Sequence, residues 1–442
     1  MSEHFRSWRQ SARLFRYLAS SPAMLAALGV ASSAIVMASP AHAQTAAPLT
    51  LQEALNRAID SDPGLRAAEA GVDAALGGVR QARTRPNPEL SAEVENFNGA
   101  GELRGFDGAE STFSLSQEIE LGGQRRARVR LADRELHGAE LDRMLRGLDL
   151  LRDVQTAYYD ALAAQELVAI ARERLVTAEA LERSVARRVA AARDPLMAGA
   201  RAQAGVAEAR IAVTRAEAEA ATARARLASY WGGEDGFSLI QADFALPAAT
   251  DHAHALDADQ APDIARLSTE RERLDAAARL ERSLSYQNPT LSLGYRRFED
   301  RDGDGALVAG FSIPLGIFNR NQGSVARAQA EQRRAEYDLQ AGRRAIAREF
   351  AALERALSSD ATAVRSTEQD VIPQAERALS LAQDGYNRGA FSYLDVLEAQ
   401  RALSDARQTR VEALRSYHSN EAALDRLTAR FAAALPGQEI HP

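Results

Sequence analysis

The residues best suited to chemistry are histidine and acidic side chains gathered in a few short stretches. His252 and His254 lie two residues apart, and Asp251, Asp257 and Asp259 are close by in the sequence. Imidazole and carboxylate groups of this kind can ligate a divalent metal ion. Their spacing matches neither a helical pair nor a zinc-finger pattern. We therefore interpret the stretch as a solvated linker and predict no metal site.

A second acidic stretch, residues 300–305, begins like a calcium-binding loop. Position twelve counted from Asp300 is Phe311, where a calcium loop requires Glu. The stretch is better interpreted as a turn that joins two strands. The sequence contains no nucleophile elbow, phosphate-binding loop or His-Glu-x-x-His motif. We therefore predict that the protein is not an enzyme and uses no cofactor.

Asp395 and Glu398 form a third acidic group, three residues apart on a predicted helix. This spacing puts both carboxylates on one helical face. Gly389, a few residues earlier, permits a turn between antiparallel helices. Several copies around one axis would form a ring of carboxylates, whose negative potential favours cations. The alternative interpretation is an ordinary exposed helix surface.

The elements that position these residues are arranged as a tandem duplication. Pro63 recurs as Pro262 and Asn87 recurs as Asn288, so equivalent residues lie about 200 positions apart. The predicted divisions are a signal segment at 1–43, a first repeat at 44–231, a connector at 232–260, a second repeat at 261–430 and a tail at 431–442.

Each repeat is predicted to contain a helix, a strand hairpin, a very long helix, a tip and a returning helix. Apolar residues recur at spacings of three and four along residues 124–193. Roughly 70 helical residues reach about 100 Å, which implies an elongated structure. Pro373 interrupts the long helix of the second repeat, where we expect a bend or a break. The tips are predicted at about 193–199 and about 386–392.

Four short segments alternate apolar and polar residues with a period of two, as strands do. They form predicted hairpins at about 88–121 and about 289–317. Each strand is predicted to span about 9 to 11 residues, the length at which a tilted strand crosses a bilayer. A soluble hairpin packed on helices is the alternative. Charged residues on the polar faces favour a water-filled lumen.

Four strands cannot close a barrel, and open edges in hydrocarbon leave backbone groups unpaired at several kcal/mol each. Several copies must therefore share one barrel. Two copies would give about eight strands, an interior that side chains fill, whereas three give about twelve and leave a lumen. The predicted fold is mainly α, with long coiled-coil helices, two tandem repeats and four strands per chain, and three copies join their strands in a twelve-stranded β-barrel.

The N-terminus has the features of a cleavable export signal. Several arginines precede an apolar run over residues 23–37 that ends in Ala-His-Ala at 41–43. No later segment offers the about 20 consecutive apolar residues that a membrane-spanning helix needs. The chain has no cysteine, so we expect neither disulfides nor a lipid anchor, and its net charge of −7 argues against nucleic acid as a partner. Together with the strands of bilayer length, the signal predicts the outer membrane as the location.

The most specific stretch of the sequence, residues 385–400, reads Gly-Tyr-Asn-Arg-Gly-Ala-Phe-Ser-Tyr-Leu-Asp-Val-Leu-Glu-Ala-Gln. It resembles the periplasmic tip of the TolC-like outer-membrane efflux family, and the resemblance extends from residue 51 to about 428. The resemblance implies a trimeric α-helical barrel that continues from the β-barrel as a long periplasmic extension. Residues 117–125 and 312–323 resemble, more narrowly, the outer-membrane component of cobalt–zinc–cadmium type heavy-metal efflux systems.

The resemblance implies roles for particular residues. Asp395 and Glu398 would line the closed periplasmic aperture, and Tyr386 would contribute to the contacts that hold it shut. The tip that contacts the adaptor would include Arg388, Gly389, Ala390, Ser392, Asp194 and Pro195. The first repeat departs from the family pattern, because residues 193–199 replace the expected glycine turn, and this leaves the adaptor contacts on that side undefined.

The resemblance also implies a function and partners. The protein would be a passive exit duct that carries heavy-metal cations outward from an inner-membrane proton-driven pump and a periplasmic adaptor. A multidrug efflux or type I secretion duct is the alternative within the family. A periplasmic coiled-coil scaffold without a pore is the alternative from another class. The expected partners are two further copies of the chain, the adaptor, the pump and outer-membrane lipid.

Overall fold

The computed structural model describes residues 48–247, 258–301 and 304–435. The predicted signal segment, His252 and His254 lie outside them. The helices are α1 (Leu51–Ser61), α2 (Pro63–Arg83), α3 (Gln124–Ala190), α4 (Leu196–Ser229), α5 (Pro262–Ser283), α6 (Gln322–Ser366), α7 (Ile372–Arg388) and α8 (Tyr393–Leu427). The strands are β1 (Glu89–Glu95), β2 (Glu110–Glu118), β3 (Thr290–Phe298) and β4 (Gly305–Ser312).

Two helices precede the first hairpin, where the sequence pattern indicated one. Thr50 caps α1 by accepting a hydrogen bond from the Glu53 amide at 3.2 Å. Asp62 caps α2 by accepting one from the Leu65 amide at 2.6 Å. Such caps satisfy amide groups that have no partner inside the helix. The α2 helix ends shortly before Pro86, which cannot continue the hydrogen-bonding pattern.

The long helices are the largest elements of the chain. The α3 helix has 67 residues, so it is about 100 Å long at about 1.5 Å per residue. The predicted interruption at Pro373 takes the form of a π-helical turn over Thr367–Val371. There the Ile372 amide donates to the Thr367 carbonyl, five residues back, and Pro373 sits in the first turn of α7. No helix within the described ranges is both long enough and apolar enough to cross a membrane.

The main core lies where α3 meets α1, α4 and α8, around the fully buried Tyr158. The Tyr158 hydroxyl lies 3.0 Å from the Asp243 carboxylate, to which it donates. Leu239 and Phe244 are buried in the same core, and Leu239 pairs with Leu49 in a parallel bridge. These residues belong to the predicted connector. The first part of that connector is therefore not a free linker, because its apolar side chains complete the core.

The predicted tail also begins inside the core. Leu435 is buried, and its side chain lies where a Cβ atom on Gly147 would stand. A short 3₁₀ helix, Ala432–Ala434, brings it there. Residues 436–442 lie beyond the described ranges.

The four strands form one antiparallel sheet in the order β1-β2-β3-β4, so β2 and β3 join the two repeats. The inner strands have nine residues each, but the edge strands β1 and β4 have seven and eight. The predicted length of 9 to 11 residues is therefore wrong for the edges. Asn96, with a φ of 57°, turns the chain out of β1. Pro314 follows β4 closely and has no amide hydrogen to extend the ladder.

The two faces of the sheet differ in polarity, as the alternation predicted. In one row Leu90, Leu115 and Leu293 lie opposite one another on successive strands. A neighbouring row contains Phe113 and Tyr295. These apolar side chains are exposed, with Leu90 at 76% and Leu293 at 62%.

The opposite face is polar and internally bonded. The Arg296 guanidinium donates to Glu110 at 2.8 Å, to Glu95 at 3.1 Å and to the Thr112 hydroxyl at 2.9 Å. One face of the sheet is thus apolar and is covered by none of the residues that the structure describes, and the other carries charge.

Candidate functional site at the helical tips

The tip of the second repeat is a tight turn between α7 and α8. Gly389 ends α7 with a φ of 84°, a left-handed conformation that disfavours side chains with a Cβ atom. The amide of Ala390 then donates to the Gly385 carbonyl at 2.8 Å. Ser392 is the N-cap of α8. The predicted glycine turn is therefore present, and it sets the direction in which α8 leaves.

Asp395 takes part in a capping box with Ser392 at the start of α8. Its carboxylate accepts from the Ser392 amide at 2.7 Å and from the Ser392 hydroxyl at 2.8 Å. These hydrogen bonds, the one from the hydroxyl first, lower the pKa of Asp395 below its ordinary value. Asp395 thus remains ionised at neutral pH while it stabilises the end of the helix.

Asp395 and Glu398 share one face of α8, as their spacing predicted. Both carboxylates are exposed, and both line a shallow depression of about 390 Å³. Leu381 and Phe391 contribute apolar walls to the same depression. The pair is therefore free to meet solvent or a neighbouring surface.

Tyr386 does not lie on that face. Its side chain is 2% exposed and packs among Val185, Tyr393 and Val396 in a small core at the tips. Its hydroxyl donates to the Asp194 carboxylate at 2.5 Å. Tyr386 of the second repeat is therefore bonded to the tip of the first repeat.

Arg188 completes this connection, and we call Arg188, Asp194 and Tyr386 the tip clasp. Its guanidinium donates two hydrogen bonds to the Asp194 carboxylate, at 2.9 and 3.0 Å. A third nitrogen donates to the Tyr386 carbonyl at 2.8 Å. The Arg188 Cζ atom also lies 4.6 Å from the centre of the Tyr386 ring. The clasp therefore holds the two tips together by charge-assisted bonds and a cation–π contact.

The electrostatics of the clasp favour its charged form. Hydrogen bonds from Arg188 are the largest influence on Asp194 and lower the pKa of its carboxyl group. Burial, followed by the bond to Asp194, raises the pKa of the Tyr386 hydroxyl. At neutral pH Asp194 is consequently an anion that accepts from a neutral tyrosine and a cationic arginine.

The other predicted tip residues are exposed, and they surround the clasp. Arg388 is the last residue of α7, and its guanidinium donates to the Asp384 carbonyl at 3.3 Å. Pro195 is the N-cap of α4. A Cβ atom on Gly389 would lie 3.9 Å from an Arg188 nitrogen, so the two tips adjoin. Ala390 is exposed beside them.

Sequence reasoning missed Arg188 and the contact between Ser184 and Asn387. The Ser184 hydroxyl donates to the Asn387 side chain at 3.1 Å. Both contacts join residues about 200 positions apart, which no local pattern connects. The duplication was the one available signal, because it aligns the tips of the two repeats.

The described part of the chain contains no group of three or more His, Asp or Glu side chains that could hold a metal ion. The acidic residues at the tips are paired with arginine, used in capping or spread over an exposed face. The exposed carboxylates among them can attract cations from solution.

The chain was compared with models of known families. Residues 54–233 and 236–430 each match the model described as outer membrane efflux protein. The chain belongs to the outer membrane efflux protein family. The first match ends near the end of the first predicted repeat, and the second begins inside the predicted connector. The family model thus matches the chain twice, in tandem.

Curated relatives include two members named for metal resistance. This efflux protein is 33% identical over 392 residues to the cobalt-zinc-cadmium resistance protein CzcC of Cupriavidus metallidurans, covering 88% of this chain and 91% of the relative. It is 28% identical over 318 residues to the nickel-cobalt-cadmium resistance protein NccC of Alcaligenes xylosoxydans xylosoxydans, covering 68% and 70%.

Among solved structures, the outer-membrane channel OprN superposes with a TM-score of 0.74 at 20% identity, over 86% of this chain and 89% of that one. The predictions of the family, the fold class, the general function and the outer-membrane location are confirmed. The protein is an outer-membrane efflux component, and the family and the matched structures are those of channel proteins.

Proposed function

We propose that three copies of this efflux protein form the exit duct of a tripartite system that moves heavy-metal cations out of the cell. The duct is passive. A periplasmic adaptor contacts the helical tips, and a proton-driven pump in the inner membrane supplies the cargo. The tips are closed at rest and open when α7 and α8 move away from α3 and α4.

The exposed apolar face of the sheet is the observation that carries this proposal. Rows of leucine and aromatic side chains run across all four strands, yet no part of residues 48–247, 258–301 and 304–435 covers them. In water such a continuous apolar surface is unfavourable, whereas hydrocarbon would solvate it. The charged opposite face suits a water-filled interior.

The edges of the sheet support assembly from several copies. The strands β1 and β4 each have a neighbour on one side only. In a membrane both edges need partners for their backbone groups. Pairing β1 of one copy with β4 of the next satisfies both edges at once, and three copies give about twelve strands around an open lumen.

The acidic face of α8 supports a preference for cations. Asp395 and Glu398 are exposed together, and Asp395 is held ionised by its capping bonds. Three copies would bring up to six carboxylates to the narrow end of the duct. Such a ring lowers the energy of cations that pass through it. The metal-resistance names of the two curated relatives support the same class of cargo.

The proposal is tested by single-channel recording in planar lipid bilayers. We expect the purified protein to conduct, and Co²⁺, Zn²⁺ and Cd²⁺ on the periplasmic side to block the current. Replacing Asp395 and Glu398 together by alanine should weaken the block, because the charges that bind the ions are removed. It should also raise the conductance, because these residues are proposed to close the aperture at rest. Glu349→Ala with Glu354→Ala on α6 is the matched control, since both carboxylates are exposed and far along the chain from the tips.

Each outcome separates one alternative. A protein that never conducts would favour a scaffold without a pore. Conductance without metal block in the wild type would favour a drug or secretion duct of the same family. Equal conductance and equal block in the Asp395/Glu398 variant and the control would show that the acidic pair does not line the aperture.

A further inference from the structure

An open cavity of about 1060 Å³ lies at the foot of the first hairpin, where β1 and β2 meet the end of α2 and the start of α3. Residues from three separate segments of the chain line it. Five of them are arginines: Arg83, Arg85, Arg125, Arg126 and Arg130.

These five guanidinium groups have no hydrogen-bond or ion-pair partner among the residues that the structure describes. Arg128, one turn away, is by contrast paired within the chain, because it donates to both oxygens of Glu120, at 2.6 and 3.3 Å. The other glutamate of the cavity, Glu118, accepts from the Asn288 amide group at 2.7 Å. The cavity therefore holds a cluster of arginines that the chain itself does not neutralise.

The walls of the cavity are partly apolar. Ile119 and Val129 line it, and Ile119 is 39% exposed. The cavity opens at the end of the sheet where α2 and α5 lead into the hairpins and α3 and α6 leave them. At the same end of the sheet, Leu315 and Phe318 follow β4 in the sequence, and they are 76% and 91% exposed. Unpaired positive charge and exposed apolar side chains thus occur at the same end of the sheet.

We propose that this arginine cavity binds the headgroup phosphate of an anionic phospholipid from the periplasm-facing leaflet of the outer membrane. The location in the leaflet rests on the proposed function, in which the sheet spans the membrane. Guanidinium groups match phosphate oxygens in pairs, and several of them can surround one headgroup. The acyl chains then lie against Ile119 and the apolar face of the sheet. The bound lipid fixes the depth of the sheet in the membrane at the point where the helices begin.

The experiment is native mass spectrometry of the full-length protein, purified in a non-ionic detergent, stripped of lipid and titrated with one added lipid. We expect dioleoyl phosphatidylglycerol to bind at one molecule per chain and dioleoyl phosphatidylcholine to bind far more weakly. The variant Arg125→Gln, Arg126→Gln, Arg130→Gln should lose affinity for phosphatidylglycerol by on the order of 100-fold, because each arginine at an anionic lipid surface contributes a factor of about five.

The matched control is Arg333→Gln, Arg344→Gln, Arg348→Gln on α6, which removes the same charge from exposed positions outside the cavity. We expect it to bind lipid as the wild type does. Equal affinity in the two triple variants would overturn the site, and so would equal binding of the two lipids. If inorganic phosphate displaces phosphatidylglycerol at equal concentration, the cavity takes a free anion and the lipid assignment is wrong.

Two further measurements test the lipid site separately from the proposed duct function. If the Arg125/Arg126/Arg130 variant falls apart into single chains in lipid-free detergent while the control stays assembled, the arginines contact a neighbouring copy and the lipid site is refuted. Conductance of the wild type is recorded on the same preparation. A conducting protein without lipid selectivity refutes the site alone, whereas a protein that binds phosphatidylglycerol but never conducts refutes the duct alone.

Discussion

Replacing Asp194 by alanine is expected to open the periplasmic end of the channel and raise its single-channel conductance several-fold. The substitution removes the acceptor of both Arg188 bonds and of the Tyr386 hydroxyl bond. Hydrogen bonds to charged groups contribute about 1.5 to 3 kcal/mol each, so losing even one shifts the balance between closed and open tips roughly 10- to 100-fold. Recording in planar bilayers measures the effect directly.

The control for this prediction is Asp142→Ala. Asp142 accepts two hydrogen bonds from Arg266, at 2.5 and 3.1 Å, so it has the same chemistry as Asp194 at a place outside the tips. We expect its conductance to equal that of the wild type. Tyr386→Phe removes only the hydroxyl bond and should have a smaller effect than Asp194→Ala. If the conductance of Asp194→Ala equals that of the control, the clasp does not hold the aperture shut.

The proposal that the clasp holds the tips closed also predicts how the closed state depends on pH, through the pKa of Asp194. Because Arg188 lowers that pKa, the clasp is fully formed above the ordinary carboxyl pKa of about 4 and weakens as the pH falls through the lowered value. Wild-type conductance should therefore stay constant from pH 7 down to about pH 4 and rise only below it. A rise between about pH 5 and 6 would mean that another group controls the tips.

The second large effect is expected from a charge on the apolar face of the sheet. Leu115→Arg puts a guanidinium in the row of Leu90 and Leu293, which we propose faces lipid. Arginine on the lipid face of a membrane barrel costs about 2 to 4 kcal/mol near the bilayer midplane. We expect the variant to be depleted from the outer-membrane fraction and to lose the slowly migrating, heat-sensitive band on a gel.

Ser116→Arg supplies the comparison, because Ser116 is the next residue of β2 and points to the polar face. The same side chain at this position should be tolerated, since the lumen is proposed to contain water. Equal recovery of the two variants would show that neither face of the sheet meets lipid.

The elements of the fold were predictable wherever a local periodicity extends over many residues. The start of α3 at Gln124 and the positions of both hairpins follow from glycine, proline and the apolar alternation. The π-helical turn before Pro373 was predicted only as a bend or break. How a helix accommodates proline depends on the helices that pack against it, and those are set by the tertiary structure.

Some residues of the candidate site were likewise predictable from local patterns, and others were not. Asp395 and Glu398 were found from a spacing of three on one helix, and the structure has them on one face. The resemblance pointed to Tyr386 and Asp194, but neither their mutual bond nor the role of Arg188 follows from any pattern, because the partners lie 192 and 198 residues apart. The capping role of Asp395 was likewise hidden, although Ser-x-x-Asp ahead of an apolar run is a form of the capping signal.

In the connector and the tail, the composition gave no indication that residues are buried. Their composition is typical of loops, yet Phe244 and Leu435 are buried in the core of the long helices. Single apolar residues in such segments carry no periodic signal, so only the assembled structure reveals that they pack.

The most direct measurement is disulfide cross-linking between the two edge strands. The chain contains no cysteine, so Ala92→Cys on β1 can be combined with a cysteine at Leu307, Ala309 or Phe311 on β4 without background. Within one chain β2 and β3 separate the edges by about 14 Å, too far for a disulfide. We predict that oxidation in membranes links at least one pair into covalent trimers on a non-reducing gel. If every pair stays monomeric while the protein remains folded in the membrane, the edges of neighbouring copies do not meet and no shared barrel exists.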